Sequence, residues 1–245
     1  LGRFPDQSGW DFWTNTISGC GVNQSCIDAK RINASGAFFL SIEFQETGYL
    51  VYRIYKSAFG NIASAPVPIR FEEFLPDTEQ IRNGVVVNQG NWQAQLEANK
   101  VAFTQAFVQR SRFIAAYPTA MTPAAFVDLL FLRAGVTPST TQRNAAIAEF
   151  GTATNTVDTN ARARALRGVA ENPVLNQQEF NRAFVLMQYF GYLRRNPYDA
   201  PEATRDYSGY DFWLIKLNQF KGDYIAAEMV KAFISSGEYR QRFGP

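Results

Sequence analysis

The feature that most constrains this chain is that its two ends carry the same phrase. Asp6-Gln7-Ser8-Gly9-Trp10-Asp11-Phe12-Trp13 and Asp206-Tyr207-Ser208-Gly209-Tyr210-Asp211-Phe212-Trp213 both read D-x-S-G-aromatic-D-F-W. Chance is a poor account of so long a match. A second phrase follows each copy: Ala37-Phe38-Phe39-Leu40-Ser41-Ile42-Glu43-Phe44 and Ala232-Phe233-Ile234-Ser235-Ser236-Gly237-Glu238-Tyr239. Ala106 to Phe113 is a looser copy, and Ala165 to Asn172 a weak fourth. A period of roughly 60–70 residues is the mark of repeated supersecondary units.

Each unit has the same expected parts. An aromatic helix comes first, over Tyr49 to Phe59, Ala124 to Ala134 and Phe180 to Arg194. A Gly/Pro/Asp turn follows, as in Gly60 to Pro68, Gly135 to Pro138 and Asn196 to Gly209. A short helix, such as Asp11 to Ile17 or Asp211 to Leu217, leads to a longer one ending in the Ala-Phe phrase. Ala226, Met229, Val230, Phe233 and Ile234 show helical spacing on one face, as do Trp92, Leu96, Phe103 and Phe107. Only Val85-Val86-Val87 reads as a short extended piece. The fold class is therefore all-α, with about four degenerate helical repeats in one elongated or compact array. The expected segments are 1–51, 52–117, 118–178 and 179–245. The first lacks its opening helix, because Leu1-Gly2-Arg3 aligns with the end of Tyr192-Leu193-Arg194-Arg195. Either a helix precedes it in a longer polypeptide or a neighbouring chain supplies one. Leu1, Gly2, Arg3 and Phe4 are thus candidate assembly residues.

Composition narrows the function classes. Histidine is absent, which removes the commonest general base and the commonest zinc ligand. A net charge of +2 with scattered Lys and Arg offers no basic stripe for nucleic acid. No apolar run reaches the roughly 18 residues of a membrane span. Aromatic residues make up 15% of the chain, enough to fill a core and leave some for an interface. Cys20 and Cys26 are separated by a Gly- and Asn-containing segment that can turn back on itself. A local disulfide in an oxidising compartment is expected, with two independent thiols as the other reading.

The phrase Leu1-Gly2-Arg3-Phe4-Pro5-Asp6-Gln7-Ser8-Gly9-Trp10-Asp11-Phe12-Trp13 resembles the L-G-R-x-P-D-x-x-G-x-x-Y/F-W signature of a bacterial family, the domain of unknown function catalogued as four-two-one-four. Ser41-Ile42-Glu43-Phe44 and Ser236-Gly237-Glu238-Tyr239 resemble its S-x-E-F ending. The likeness covers residues 1–51 and 183–243, and extends to the middle only through the repeat. It implies small helical units of large secreted, surface-layer or adhesin-like proteins, with no established catalytic residues. A remote likeness to phycobilisome linker domains implies helical assembly modules.

Asp6 and Asp206 read as helix N-caps. Gly9 and Gly209 permit close approach or a special backbone angle. Trp13 and Trp213 are expected core anchors. The other reading of the motif is calcium held by Asp6, Ser8 and Asp11, and again by Asp206, Ser208 and Asp211, although the dense acidic loop of a calcium site is missing. Asp199 with Glu202 and Glu72 with Glu73 are carboxylate pairs that a hydrolase would need across a cleft; solvated acids are the simpler reading. Asn23-Gln24-Ser25 and Asn33-Ala34-Ser35 fit a glycosylation sequon. No cofactor or metal is expected. The expected function is a non-catalytic extracellular or cell-surface module that self-associates into a layer, appendage or filament. Its partner is then itself or the remainder of a longer parent chain. The alternative is a glycan or cell-wall binding module, and a carboxylate hydrolase is the remotest reading.

Overall fold

The computed structural model describes residues 6–244, and these are helical with no β-strand. In chain order the first helices are α1 (Gln7–Ser18), α2 (Gln24–Leu40), α3 (Ile42–Glu46) and α4 (Gly48–Phe59). Then come α5 (Phe71–Arg82), α6 (Trp92–Phe107), α7 (Ser111–Ala116), α8 (Pro123–Ala134) and α9 (Thr140–Ala148). The last are α10 (Thr159–Ala170), α11 (Pro173–Gln188), α12 (Ser208–Gln219), α13 (Met229–Ser235) and α14 (Gly237–Phe243). A π-helical turn, Tyr189–Leu193, extends α11. The extended piece expected at Val85 to Val87 pairs with nothing as a strand.

The chain forms two compact units. One takes the two ends, up to Gln45 and from Asn181 onward; the other is Glu46–Phe180. The clear copies of the repeat thus fall largely within the first unit and the eroded copies within the second.

In the second unit α4 is the central element. Tyr49, Leu50, Val51, Tyr52, Ile54, Tyr55 and Ala58 are buried around its whole circumference, as expected for a helix apolar on every side. It packs against α5, α8 and α10, and α10 also packs on α6. Each buried Leu, Ile or aromatic side chain contributes about 1.5–3 kcal/mol. Pro123 enters α8 at its first turn behind the Thr122 cap, which accepts from Ala125 N–H. Ser139 and Gln142 close a reciprocal cap on α9.

The interior of this unit also holds cations. Arg53 donates to the carbonyls of Tyr49 and Ala170. Arg162 donates to those of Tyr117 and Thr156, with its guanidinium over the Phe113 and Phe126 rings. Burial pulls both guanidinium pKa values down. Lys100 pairs with Glu46, and Glu97 receives both Arg167 amino groups at 2.5 and 2.6 Å.

The first unit packs around Phe39. Its ring meets Phe44, Phe184 and Tyr192 edge-on at 5.6, 5.7 and 5.5 Å. Gly191 in the π-helical turn makes room, because a Cβ there would sit 3.0 Å from the Phe39 ring. Gly36 does the same for Tyr224, whose ring lies 2.4 Å from where a Cβ would be. The long final helix expected through Ala226 is shorter than its pattern. Glu228 has φ +52°, which breaks the helical path and delays α13 to Met229.

A residue of positive φ ends the aromatic helix wherever it is described: Gly60 after α4, Gly135 after α8, and Arg194 after the π-helical turn, with φ of 69°, 73° and 53°, the last two left-handed. Glycine takes this conformation freely, whereas an L side chain is strained by about 1–2 kcal/mol. Arg194 is exposed. Arg194→Gly is therefore expected to stabilise the protein by about 0.5–1 kcal/mol, read as a raised midpoint in urea unfolding. A lowered midpoint would show that the Arg194 side chain matters more than its backbone.

Tyrosine burial sets the alkaline limit. Desolvation raises the hydroxyl pKa of Tyr117 to about 12 and lifts Tyr49, Tyr55, Tyr189 and Tyr192 well above the ordinary value near 10. A folded-state pKa above the unfolded one means stability fully present below about pH 10. It is lost as pH rises toward and past 12. Phenolate absorbance from these residues is expected only together with loss of helical circular dichroism. Complete ionisation by about pH 11 with the helical signal intact would contradict the burial argument.

Candidate functional site

The repeated phrases build a corresponding corner in each copy. Asp6 caps α1, its carboxylate accepting from Gly9 N–H at 2.8 Å and from the Ser8 hydroxyl at 2.7 Å. A Cβ on Gly9 would press on that carboxylate at 3.3 Å. Asp206 differs from the expected cap. The N-cap of α12 is Tyr207, and Asp206 accepts from Ser208 N–H and the Thr204 hydroxyl one position earlier. The Ser208 hydroxyl first, then the Ser208 N–H and the Thr204 hydroxyl, hold its pKa below the usual carboxylate range. The copy at this end carries extra residues between Pro197 and the D-x-S-G phrase. Gly209 lies where a Cβ would stand 2.8 Å from the Tyr189 hydroxyl, so here close approach is what requires glycine.

Trp13 and Trp213 are half-buried, at the edge of the core instead of its centre. Trp13 packs on Phe38 at 5.6 Å and Trp213 on Phe233 at 5.7 Å. Phe12 meets Trp13 at 5.0 Å and 78°, and Phe212 meets Trp213 at 5.1 Å and 77°. The same two aromatic contacts therefore recur in both copies.

The second phrase is a helix break. Ser41 and Ser236 hold nearly identical backbone angles, φ −65°, ψ 149° and φ −62°, ψ 150°. Each hydroxyl donates back to the carbonyl of Phe38 or Phe233 and accepts from the N–H of Phe44 or Tyr239. Arg110, at the matching place in the looser copy, keeps the angles, φ −63° and ψ 141°, without the serine. In the weakest copy the matching residue, Val169, lies inside α10.

Arg195 joins the two phrases. Its Nε and Nη2 donate to both oxygens of Glu238 at 2.8 and 3.1 Å, and Nη1 donates to the carbonyls of Asn196, Pro197 and Asp199. Arg195 thus ties the chain that precedes the D-x-S-G phrase to the S-x-E-F ending. Sequence spacing gave no sign of this pair, because the partners are far apart in the chain. Leu1, Gly2, Arg3 and Phe4 lie outside the described residues.

Cys20 and Cys26 form a disulfide with Cα atoms 5.6 Å apart, linking the turn after α1 to the first turn of α2. A loop this short stabilises by about 2 kcal/mol on the chain-entropy account. Four of the other acids singled out, Asp11, Asp199, Glu73 and Glu202, are engaged by the protein. Asp11 accepts from Gln7, Asp199 from both Asn196 nitrogens, and Glu73 from Arg112, while Glu202 lies 3.6 Å from Arg195. Among the described residues no group of three or more His, Cys, Asp or Glu is placed to hold a metal ion.

A groove of about 530 Å³ opens in the first unit between α2, α13 and α14. Arg31, Lys231 and Arg240 line it with Asp28, and Ile32 and Ile234 supply apolar surface. Sequence reasoning missed this groove, since its cations come from separate helices. Comparison with protein-family models, curated proteins and solved structures finds no match for the chain.

Proposed function

We propose that this chain is a non-catalytic structural module of an extracellular or cell-surface protein, self-associating into a layer, appendage or filament. The observation that carries the reading is the repeated aromatic corner. Phe12 and Phe212 hold the same edge-on contact to a tryptophan and are 61% and 57% exposed. Scattered exposed apolar residues need no explanation; the same aromatic turned outward twice suits a contact surface.

A comparison between copies supports a specific contact. Phe233 is 4% exposed and lies under Tyr189 of the aromatic helix at 5.1 Å. Phe38, its counterpart, is 41% exposed. The face that one copy closes with an aromatic helix is open in the other, which suits a further helix of the same kind docking there. Units that bury one face on a neighbour extend naturally into arrays. The disulfide fits an oxidising compartment, and the likeness to the secreted four-two-one-four family points the same way.

The test is multi-angle light scattering with electron microscopy of the native material. Concentration-dependent growth, lost in a Phe12→Ser, Phe212→Ser variant, is the expected result. A monomer over a wide concentration range would sink the proposal. The cation-lined groove favours a second reading, attachment to a surface glycan.

A further inference from the structure

We infer that the groove between α2, α13 and α14 binds an acidic saccharide, a hexuronate residue of a polyanionic glycan. This deepens the glycan-binding reading and rests on it. Three chemistries meet in the groove. The first is charge: among the described residues Arg31, Lys231 and Arg240 line the groove with a single carboxylate, that of Asp28. Among the described residues neither Arg31 nor Arg240 has a side-chain hydrogen bond or ion pair, and Lys231 has only a 3.4 Å contact with Glu228. Unengaged guanidinium groups suit a planar carboxylate, which they grip with two parallel N–H donors.

The second is a set of hydroxyl partners. Gln24 donates to Asp28 at 2.8 Å, leaving the second carboxylate oxygen to accept from a ligand. The Ser235 hydroxyl donates to the Lys231 carbonyl, so its oxygen is likewise an acceptor. Acceptors beside cations fit a polyhydroxylated acid better than a bare inorganic anion. The third is an apolar wall. Ile234 is buried and Ile32 half-buried, offering a surface for the C–H face of a sugar ring. A groove of about 530 Å³ lies within the range of small-ligand sites and accommodates one or two sugar residues. Three of the lining residues, Gln24, Asp28 and Arg31, recur at helical spacing along α2, so one helix face presents them together.

Isothermal titration of the full chain with trigalacturonate, in low salt, tests the inference. Maltotriose serves as the neutral comparator and sodium sulfate as the bare anion. Trigalacturonate is expected to bind and to weaken as salt rises. Arg31→Gln with Arg240→Gln is expected to cut its affinity by about tenfold or more, while Lys221→Gln, outside the groove, leaves it unchanged. Among the described residues neither arginine has a partner to lose, and circular dichroism checks that the double variant folds. Undiminished binding in the double variant overturns the inference, as does sulfate binding as tightly as trigalacturonate. If maltotriose binds and trigalacturonate does not, this inference falls and the glycan reading stands. If neither binds, both fall.

Discussion

Arg195→Met is expected to cost about 3–5 kcal/mol, the largest effect in the first unit. The side chain is 8% exposed and the Glu238 carboxylate it holds is 16% exposed. Among the described residues, removing the guanidinium leaves that carboxylate with only the Arg242 contact at 3.1 Å. It also strips the carbonyls of Asn196, Pro197 and Asp199 of their shared donor. Methionine keeps much of the packing over Tyr189, so the loss reports the polar contacts more than a cavity. Glu238→Gln is the milder change, about 1–2 kcal/mol, because an amide oxygen still accepts from Arg195 and the carbonyls keep their donor. Guanidinium-chloride unfolding measures both. Hydrogen exchange is expected to quicken first in α13, α14 and the π-helical turn, the elements closest to the lost tie. Equal costs for the two substitutions would refute the role of the carbonyls. A cost under about 1 kcal/mol for Arg195→Met would remove the tie altogether.

That tie marks the boundary of what the sequence made legible. Local pattern carried the helices: α4 and α8 begin within a residue of their expected starts, and α6 buries Leu96, Phe103 and Phe107 along the expected face. The helical spacing of Trp92, Leu96 and Phe103 needs nothing beyond the chain itself. The serine break at Ser41 and Ser236 was visible as a repeated phrase, though not as a break, because a hydroxyl bonded in two directions leaves no mark on helical periodicity. α13 fell short of its pattern since periodicity cannot register a left-handed Glu228. The two units were not legible at all. The grouping of the chain's two ends depends on contacts such as Phe39 with Phe184, which no local period encodes. The groove was hidden for the same reason. Its cations are ordinary surface residues in sequence, and only the apposition of α2 with α13 gathers them.

In the second unit the same physics predicts an asymmetric result. Asp77 is 4% exposed and accepts from the Tyr55 hydroxyl at 2.8 Å and from both Arg110 amino groups at 2.7 Å. Arg110 is one-third exposed at the side chain and lies over the Phe107 ring. The two partners are therefore unequal when left alone. An orphaned Arg110 can swing toward water, whereas an orphaned Asp77 stays buried with Tyr55 as its remaining donor. Arg110→Met is expected to cost about 3–5 kcal/mol and Asp77→Asn about 1–2 kcal/mol. The double variant should cost less than the two single costs added together, because no ionised carboxylate is then left buried. Urea unfolding of the four proteins closes the cycle. Strict additivity would show that the pair is uncoupled, and a larger loss for Asp77→Asn than for Arg110→Met would show that the buried partner is the one that tolerates isolation. The position adds meaning to the result. Arg110 occupies the place that Ser41 and Ser236 hold in the clear copies, with the same backbone angles. The two serines hold the break with a hydroxyl. In the looser copy Arg110 has the same backbone angles while its side chain is turned to an ion pair with Asp77 on α5, so the backbone break does not require the serine.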